Sequence, residues 1–150
     1  MDCTFEKMKI GDLEEVVKIA GASFSQPWTR GMFESELLKN PFSEQIVFKA
    51  GERIAGYLCF WALFDESHIL DFAVHPDFRR MGLAKRALMQ VMEQMKQKNI
   101  KKIFLEVRES NQAAIALYEK SGFLKIGARK GYYSNPKENA VIFQWTAPEN

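Results

Sequence analysis

The sequence is poor in residues that would staple or tether a chain. It has two cysteines in 150 residues, Cys3 and Cys59, too few and too far apart for a disulfide framework. Cys59 falls inside an apolar run, where a free thiol behaves as a small hydrophobe. Both are expected to be reduced, which suits a cytoplasmic location. The only histidines, His68 and His75, have no Cys, Asp or Glu neighbours at metal-ligand spacing, so no metal is implied and both read as structural. Long hydrophobic runs are also missing: Ile54 to Phe64 is interrupted by Gly56 and is too short to span a bilayer. The opening Met-Asp-Cys-Thr lacks the basic-then-apolar pattern of a signal peptide. Nor is one sign of charge in excess. The 21 basic and 19 acidic residues leave a net charge of +2, which gives no whole-molecule reason to expect nucleic acid or a membrane. Any anion site must be local.

What the chain does have is apolar content, 47% of it, in a length that predicts one ordinary domain over residues 1–150, able to bury roughly two thirds of its unfolded surface. A monomer is expected. No repeat, low-complexity tract or linker interrupts it.

The periodicity predicts a mixed α+β order, β-α-α-β-β-β-α-β-α-β-β. Asp12 and Glu15 form a candidate capping box for a helix over about 12–23, with Leu13, Val16, Val17, Ala20 and Phe24 at helical spacing. Thr29 can cap a second, short helix that Asn40-Pro41 stops. Three strands follow, near 45–50, 53–64 and 67–75, the first two joined by Gly51-Glu52. The middle one is apolar on both faces, which calls for helices on each side of the sheet. Leu83, Ala87, Leu88, Val91, Met92 and Met95 then make a helical stripe. Lys102 to Arg108 alternates as a strand, Asn111 opens a helix that Gly122 ends, and two strands near 123–132 and 139–146 close the chain. The sheet expected is mixed, mostly antiparallel and of about seven strands.

Between the third of these meander strands and the long helix lies Arg79-Arg80-Met81-Gly82-Leu83-Ala84. A helix start exposes backbone N–H groups and the positive end of the dipole, so a phosphate there gains hydrogen bonds and a favourable field together. Gly82 lets an anion approach the backbone, and Arg79, Arg80, Lys85 and Arg86 supply cationic charge. The ordinary alternative is a basic helix start with a glycine at a turn. Neither a P-loop ending nor a triple-glycine dinucleotide pattern is present. On the 102–108 strand, Glu106 points opposite to Ile103, Leu105 and Val107. A carboxylate there needs a partner or a job; the partner reading is a salt bridge to Arg108 on the same face. Tyr118 lies two turns after Asn111 on one helix face, and its ordinary reading is a core tyrosine. The turn, the carboxylate and the tyrosine share one β-α-β-α run, in which loops after neighbouring strands meet at one end of the sheet.

The stretch Val74-His75-Pro76 through Ala84 is similar to the acetyl-CoA motif of the GNAT acetyltransferases, Arg/Gln-x-x-Gly-x-Gly/Ala. The blocks Leu105-Glu106-Val107-Arg108-Glu109-Ser110-Asn111, Ala114 to Tyr118 and Gly122-Phe123 resemble those members that acetylate the N-terminal alanine of a ribosomal protein, as do Pro27-Trp28-Thr29 and Arg129 to Tyr133. The resemblance covers nearly the whole chain. It implies acetyl-CoA as cosubstrate, Glu106 as general base and Tyr118 as the proton donor to departing CoA. It further implies backbone contacts to the acetyl-pantetheine arm from Phe72, Ala73 and Val74, pyrophosphate binding by the segment from Arg79 through Lys85, including Met81, Gly82, Leu83 and Ala84, and a CoA contact from Asn111. Trp28, Tyr132 and Tyr133 would shape the acceptor groove. The partner implied is a protein N-terminus, of a ribosomal protein, with no nucleic acid or membrane. The chain departs from the family's pattern at Ser134 to Glu138 and at Asn139, which bears on the acceptor rather than on the chemistry. The alternatives are a GNAT acting on a small-molecule amine and a CoA-binding module without turnover. An α-amine with a pKa near 8 costs only about 1 kcal/mol to deprotonate at neutral pH, against roughly 4 to 5 for lysine, which suits a single carboxylate to an N-terminus.

Overall fold

The computed structural model describes residues 2–149, and its elements follow the predicted order. Strand β1 (Thr4–Lys7) leads through a 3-10 turn into α1 (Leu13–Ser23). Asp12 does precede this helix, but its carboxylate accepts the Lys9 N–H at 2.9 Å and makes no cap bond into α1. The acid therefore serves the turn before the helix rather than a box with Glu15. Helix α2 (Arg30–Lys39) is capped as expected, Thr29 Oγ1 accepting the Met32 N–H at 3.2 Å. Along it, Phe33 is fully buried while Met32 is exposed.

The meander is β2 (Ser43–Ala50), β3 (Arg53–Leu63) and β4 (Glu66–Val74), followed by α3 (Leu83–Gln97), β5 (Lys102–Arg108), α4 (Gln112–Lys120), β6 (Leu124–Tyr133) and β7 (Glu138–Thr146). These make one seven-stranded sheet in the order β1-β2-β3-β4-β5-β7-β6, antiparallel everywhere except between β4 and β5. Helices cover both faces because β3 is apolar on both. Its Leu58 and Phe60 enter the layer packed by Leu88, Val91 and Met95 of α3, whereas Tyr57 and Cys59 enter the opposite layer with Val16 and Ile19 of α1 and Phe33 of α2. Each such side chain contributes roughly 1.5–3 kcal/mol of burial, so the α3 stripe is held by its own apolar spacing.

One irregularity positions everything that follows. In the β3–β4 pairing Cys59 faces Asp71 while Phe60 faces Ile69, which leaves Leu70 as an extra residue, a β-bulge. The parallel β4–β5 pairing runs only from Glu66↔Lys102 to His68↔Phe104, although β5 stays in register with β7 along its whole length. Past the bulge β4 follows β3, β5 follows β7, and the sheet opens into a wedge.

Candidate active site

The wedge is entered by two clefts. One, of about 240 Å³, is lined by Asp71 and Phe72 of β4, Glu106 and Arg108 of β5, Trp28 and Tyr133. The other, of about 740 Å³, runs from Phe72, Ala73 and Val74 to Arg79, Arg80, Gly82, Ala84 and Lys85 at the start of α3. They share a wall made by Phe24, Phe72, Asn111, Ala114 and Tyr118. The residues expected to work together from their order in the sequence are therefore close in space, around the point where β4 and β5 part.

At the larger cleft the chain turns through Gly82, whose φ of +74° is a left-handed conformation that favours glycine. A Cβ built there would meet nothing within 4 Å, so the turn opens onto the cleft. Helix α3 has no acidic residue in its first turn, and its N-cap residue is Gly82, which has no side chain to cap the N–H groups, whereas Thr29 and Asn111 cap α2 and α4. Arg79 is committed to structure: its Nε donates to the Val74 carbonyl at 3.0 Å and a terminal nitrogen donates to Ser23 Oγ at 3.0 Å, tying the turn to β4 and α1. Met81 is exposed and Leu83 is buried in the core. Neither lines the cleft, so their use to a ligand would be through the backbone. At the end of β4, the His75 N–H bonds the Ala55 carbonyl at 2.7 Å. In the alternating antiparallel pattern this turns the N–H and C=O of Val74 away from β3, toward the wedge.

Glu106 does not pair with Arg108. Its carboxylate lies 2.6 Å from His68 Nε2 on β4 and 3.8 Å from Arg129 of β6. The hydrogen bond with His68 is the main reason its pKa falls below the ordinary carboxylate range, against the opposing effect of burial. His68 is thus a partner of the site and not a bystander. The signal available in sequence is that both residues occupy outward-facing strand positions, but joining them requires the β4–β5 register. Arg108 instead bonds the Ser134 and Pro136 carbonyls at 3.0 and 2.9 Å, Glu138 at 3.1 Å and Ser25 Oγ at 3.3 Å, with its guanidinium 4.5 Å over the Tyr133 ring. It binds the loop before α2 to the β6–β7 connection, and that loop roofs the smaller cleft together with Tyr133. Ser134 Oγ and Gln26 Oε1, 3.0 Å apart, add a second tie.

Tyr118 packs its ring on Phe123 and Phe143, at centroid distances of 5.6 and 6.1 Å, and lines both clefts. Burial pushes its hydroxyl pKa well above the usual tyrosine value, with Tyr133 and Asp71 adding to the effect. Asn111 Oδ1 accepts the Ala114 N–H at 3.2 Å, which fixes the start of α4 and so the position of Tyr118. Trp28 sits on Phe33, with ring centroids 5.1 Å apart, and Tyr133 faces the cleft, its pKa raised to about 12 chiefly by burial. Tyr132 is half exposed, stands edge-on to Tyr133 at 5.0 Å and lines neither cleft. Among the described residues, no group of three His, Cys, Asp or Glu side chains is placed to hold a metal ion.

The sequence matches the acetyltransferase (GNAT) family over residues 13–123. It is 36% identical over 137 residues to the ribosomal protein bS18-alanine N-acetyltransferase of Haemophilus ducreyi, spanning 87% of this chain and 91% of that protein. With the protein of the same description from Escherichia coli strain K12 it shares 29% identity over 141 residues, 93% of this chain and 94% of the other. The crystal structure of the ribosomal-protein-S18-alanine N-acetyltransferase from Escherichia coli superposes with a TM-score of 0.90 at 28% identity, covering 99% and 98% of the two chains. The structure of Ard1 from Thermoplasma volcanium superposes with a TM-score of 0.91 at 27% identity, covering 99% and 100%. A match that runs from the first residue of α1 to the residue before β6 takes in the bulged β4, the turn at Gly82 and both walls of the wedge, and the chain belongs to the GNAT family of acetyltransferases.

Proposed function

We propose that this protein, as a single domain over residues 1–150, transfers an acetyl group from acetyl-CoA to the N-terminal α-amine of a protein, and that the acceptor is a small-subunit ribosomal protein beginning with alanine. The observation that carries the reading is the shared wall: Glu106 lies in one cleft, the basic helix start in the other, and Tyr118 and Phe72 in both. The relatives named for bS18-alanine acetylation, similar over most of their length, support the choice of acceptor. A cytoplasmic monomer is part of the same proposal.

The helix start suits a diphosphate, since its N-cap glycine offers no capping side chain and the space beside it is open. The backbone from Arg80 to Lys85 would hold it, Phe72 to Val74 would hold the arm that follows, and the amide of Asn111 is placed for a further contact. When bound, acetyl-CoA supplies the thioester carbon for attack and the thiolate that leaves. Glu106 takes the proton of the incoming ammonium, directly or through a water, and returns to the carboxylate when that proton passes to solvent. The Val74 N–H, turned toward the wedge, stabilises the developing oxyanion by roughly 3 kcal/mol if preorganised. Tyr118, kept protonated by burial, donates a hydrogen bond to the leaving sulfur and stabilises it more than it protonates it, because a thiol with a pKa near 8.5 leaves readily as thiolate.

The test is thiol release from acetyl-CoA with a panel of N-terminal hexapeptides, the same peptides N-blocked, and a polyamine. Alanine-starting peptides are expected to react at least about tenfold faster than the polyamine, a difference of roughly 1.4 kcal/mol in barrier. A faster polyamine would establish the small-molecule reading in its place, and binding without thiol release would leave a CoA-binding module.

A further inference from the structure

Three charged side chains line the smaller cleft, and two of them are matched. Glu106 has His68 and Arg129, and Arg108 has Glu138. The third, Asp71, forms no ion pair among the described residues, and its side chain accepts a hydrogen bond from the Tyr57 hydroxyl at 3.0 Å. It is only 9% exposed. Burying a carboxylate without a cation is costly, and desolvation pushes its pKa up to about 7 in spite of the bonds from Tyr57 and the Phe72 backbone. The fold does not need the charge: the neighbours of Asp71 in its layer, Tyr57, Cys59 and Ala73, are otherwise part of an apolar core.

The position supplies what the packing does not. Asp71 follows the bulge residue Leu70, where β4 leaves β5, and Glu106 lines the same cleft from the β5 side. The two carboxylates flank the mouth of the wedge, one already satisfied by basic side chains and the other waiting for a cation.

We propose that Asp71 is a specificity-determining residue that binds the protonated α-amine of the acceptor as its missing cation and holds it across the wedge from Glu106. This rests on reading the cleft as the acceptor site. An α-amine with a pKa near 8 arrives mostly as the ammonium at pH 7, so the acid selects an unblocked N-terminus at the binding step. In the chemical step one ammonium N–H bond breaks and its proton passes to a Glu106 oxygen, leaving the lone pair on nitrogen. Asp71 serves as the counter-ion of the bound ammonium and is not the proton acceptor.

The experiment is calorimetric binding, without acetyl donor, of an alanine-starting hexapeptide and of its desamino counterpart, which has propionyl in place of alanyl and so differs only by the ammonium. The wild-type protein is expected to prefer the amino peptide by roughly ten- to a hundredfold, the value of a charge-assisted hydrogen bond. Asp71→Asn is expected to bind both peptides alike, with the affinity for the desamino peptide unchanged, which a merely structural loss would not leave intact. Should asparagine not be tolerated, Asp71→Ser reads the same ratio. Retained preference in either variant overturns the inference, as does a wild type without preference or equal weakening of both peptides. Failure of the wild type to acetylate any peptide counts instead against the functional reading, since the binding ratio needs no turnover.

Discussion

At the scale of single residues, the setting of Glu106 decides what its titration can do. The bond with His68 and the proximity of Arg129 hold its pKa below the ordinary range, so the carboxylate persists on lowering the pH to below its usual value and is ionised throughout pH 6 to 9. The inflection expected in that window, a fall in kcat/KM as the pH rises past about 8, therefore belongs to the acceptor, which binds as the ammonium. Glu106→Gln is expected to lower kcat by about two to four decades at every pH in that window without moving the inflection. A wild-type inflection that disappears in the variant, in kcat/KM against pH for an alanine peptide, would assign the titration to Glu106 and refute this. For Tyr118, burial keeps the phenol protonated across the same range. Tyr118→Phe is expected to cost about one to three decades of turnover while acetyl-CoA binding stays near normal. Glu106, Asn111 and Tyr118 are legible in the sequence because strand alternation and helix spacing are local. His68 and Asp71 are not. The partner of His68 lies 38 residues away, and the meaning of Asp71 depends on which face the bulge turns it toward.

At the scale of elements, spacing places nearly every helix and strand to within two or three residues, since core-facing side chains recur at the periods that the buried layers demand. The misreading of Asp12 has a local cause: an acid three residues after Lys9 and three before Glu15 can close either turn, and it closes the earlier one. The bulge at Leu70 has no residue signature, so the wedge it creates cannot be read in advance, nor can the roof that Arg108 builds over it. That roof yields a prediction. Arg108 joins the loop before α2 to the β6–β7 connection through four hydrogen-bond partners and the face of Tyr133. Lysine, lacking the planar fork, cannot reproduce this set. Arg108→Lys is expected to raise KM for the peptide by roughly tenfold, given that a hydrogen bond to a charged group is worth about 1.5–3 kcal/mol before the loops readjust. The affinity for acetyl-CoA should not change, because the turn at Gly82 is untouched. Steady-state KM for the peptide and calorimetry with the cofactor separate the two, and a parallel loss of both would show that Arg108 holds the whole wedge rather than its roof.

At the scale of the whole molecule the sheet is two half-sheets, β1 to β4 and β5-β7-β6, held side by side by three register pairs at one end. Alternation and turn residues announce the strands, but the insertion of β7 between β5 and β6 is a matter of long-range pairing that no local period encodes. The layer that includes α3 spans the join, with Leu88 and Val91 packed in one core with Phe60 of β3 and Ile103 of β5, so the halves unfold together if that layer carries the cooperativity. A ligand seated along β4 and against α4 would touch both halves across the open end of the wedge. Acetyl-CoA at a hundred times its Kd should therefore stabilise the fold by about 2.7 kcal/mol, which for a chain of this size raises Tm by roughly 5 to 11 °C. Gly82→Trp puts a bulky side chain at a left-handed position that opens onto the cleft, and is expected to lose most of the ligand-induced rise. Its own unliganded Tm should fall by only a few degrees, in line with roughly 1 to 2 kcal/mol of backbone strain at a single positive-φ residue. Thermal denaturation with and without acetyl-CoA measures both quantities. A variant that keeps the full ligand-induced shift would place the nucleotide somewhere other than the start of α3, and with it would go the assignment of the larger cleft to the cofactor and of the smaller one to the acceptor.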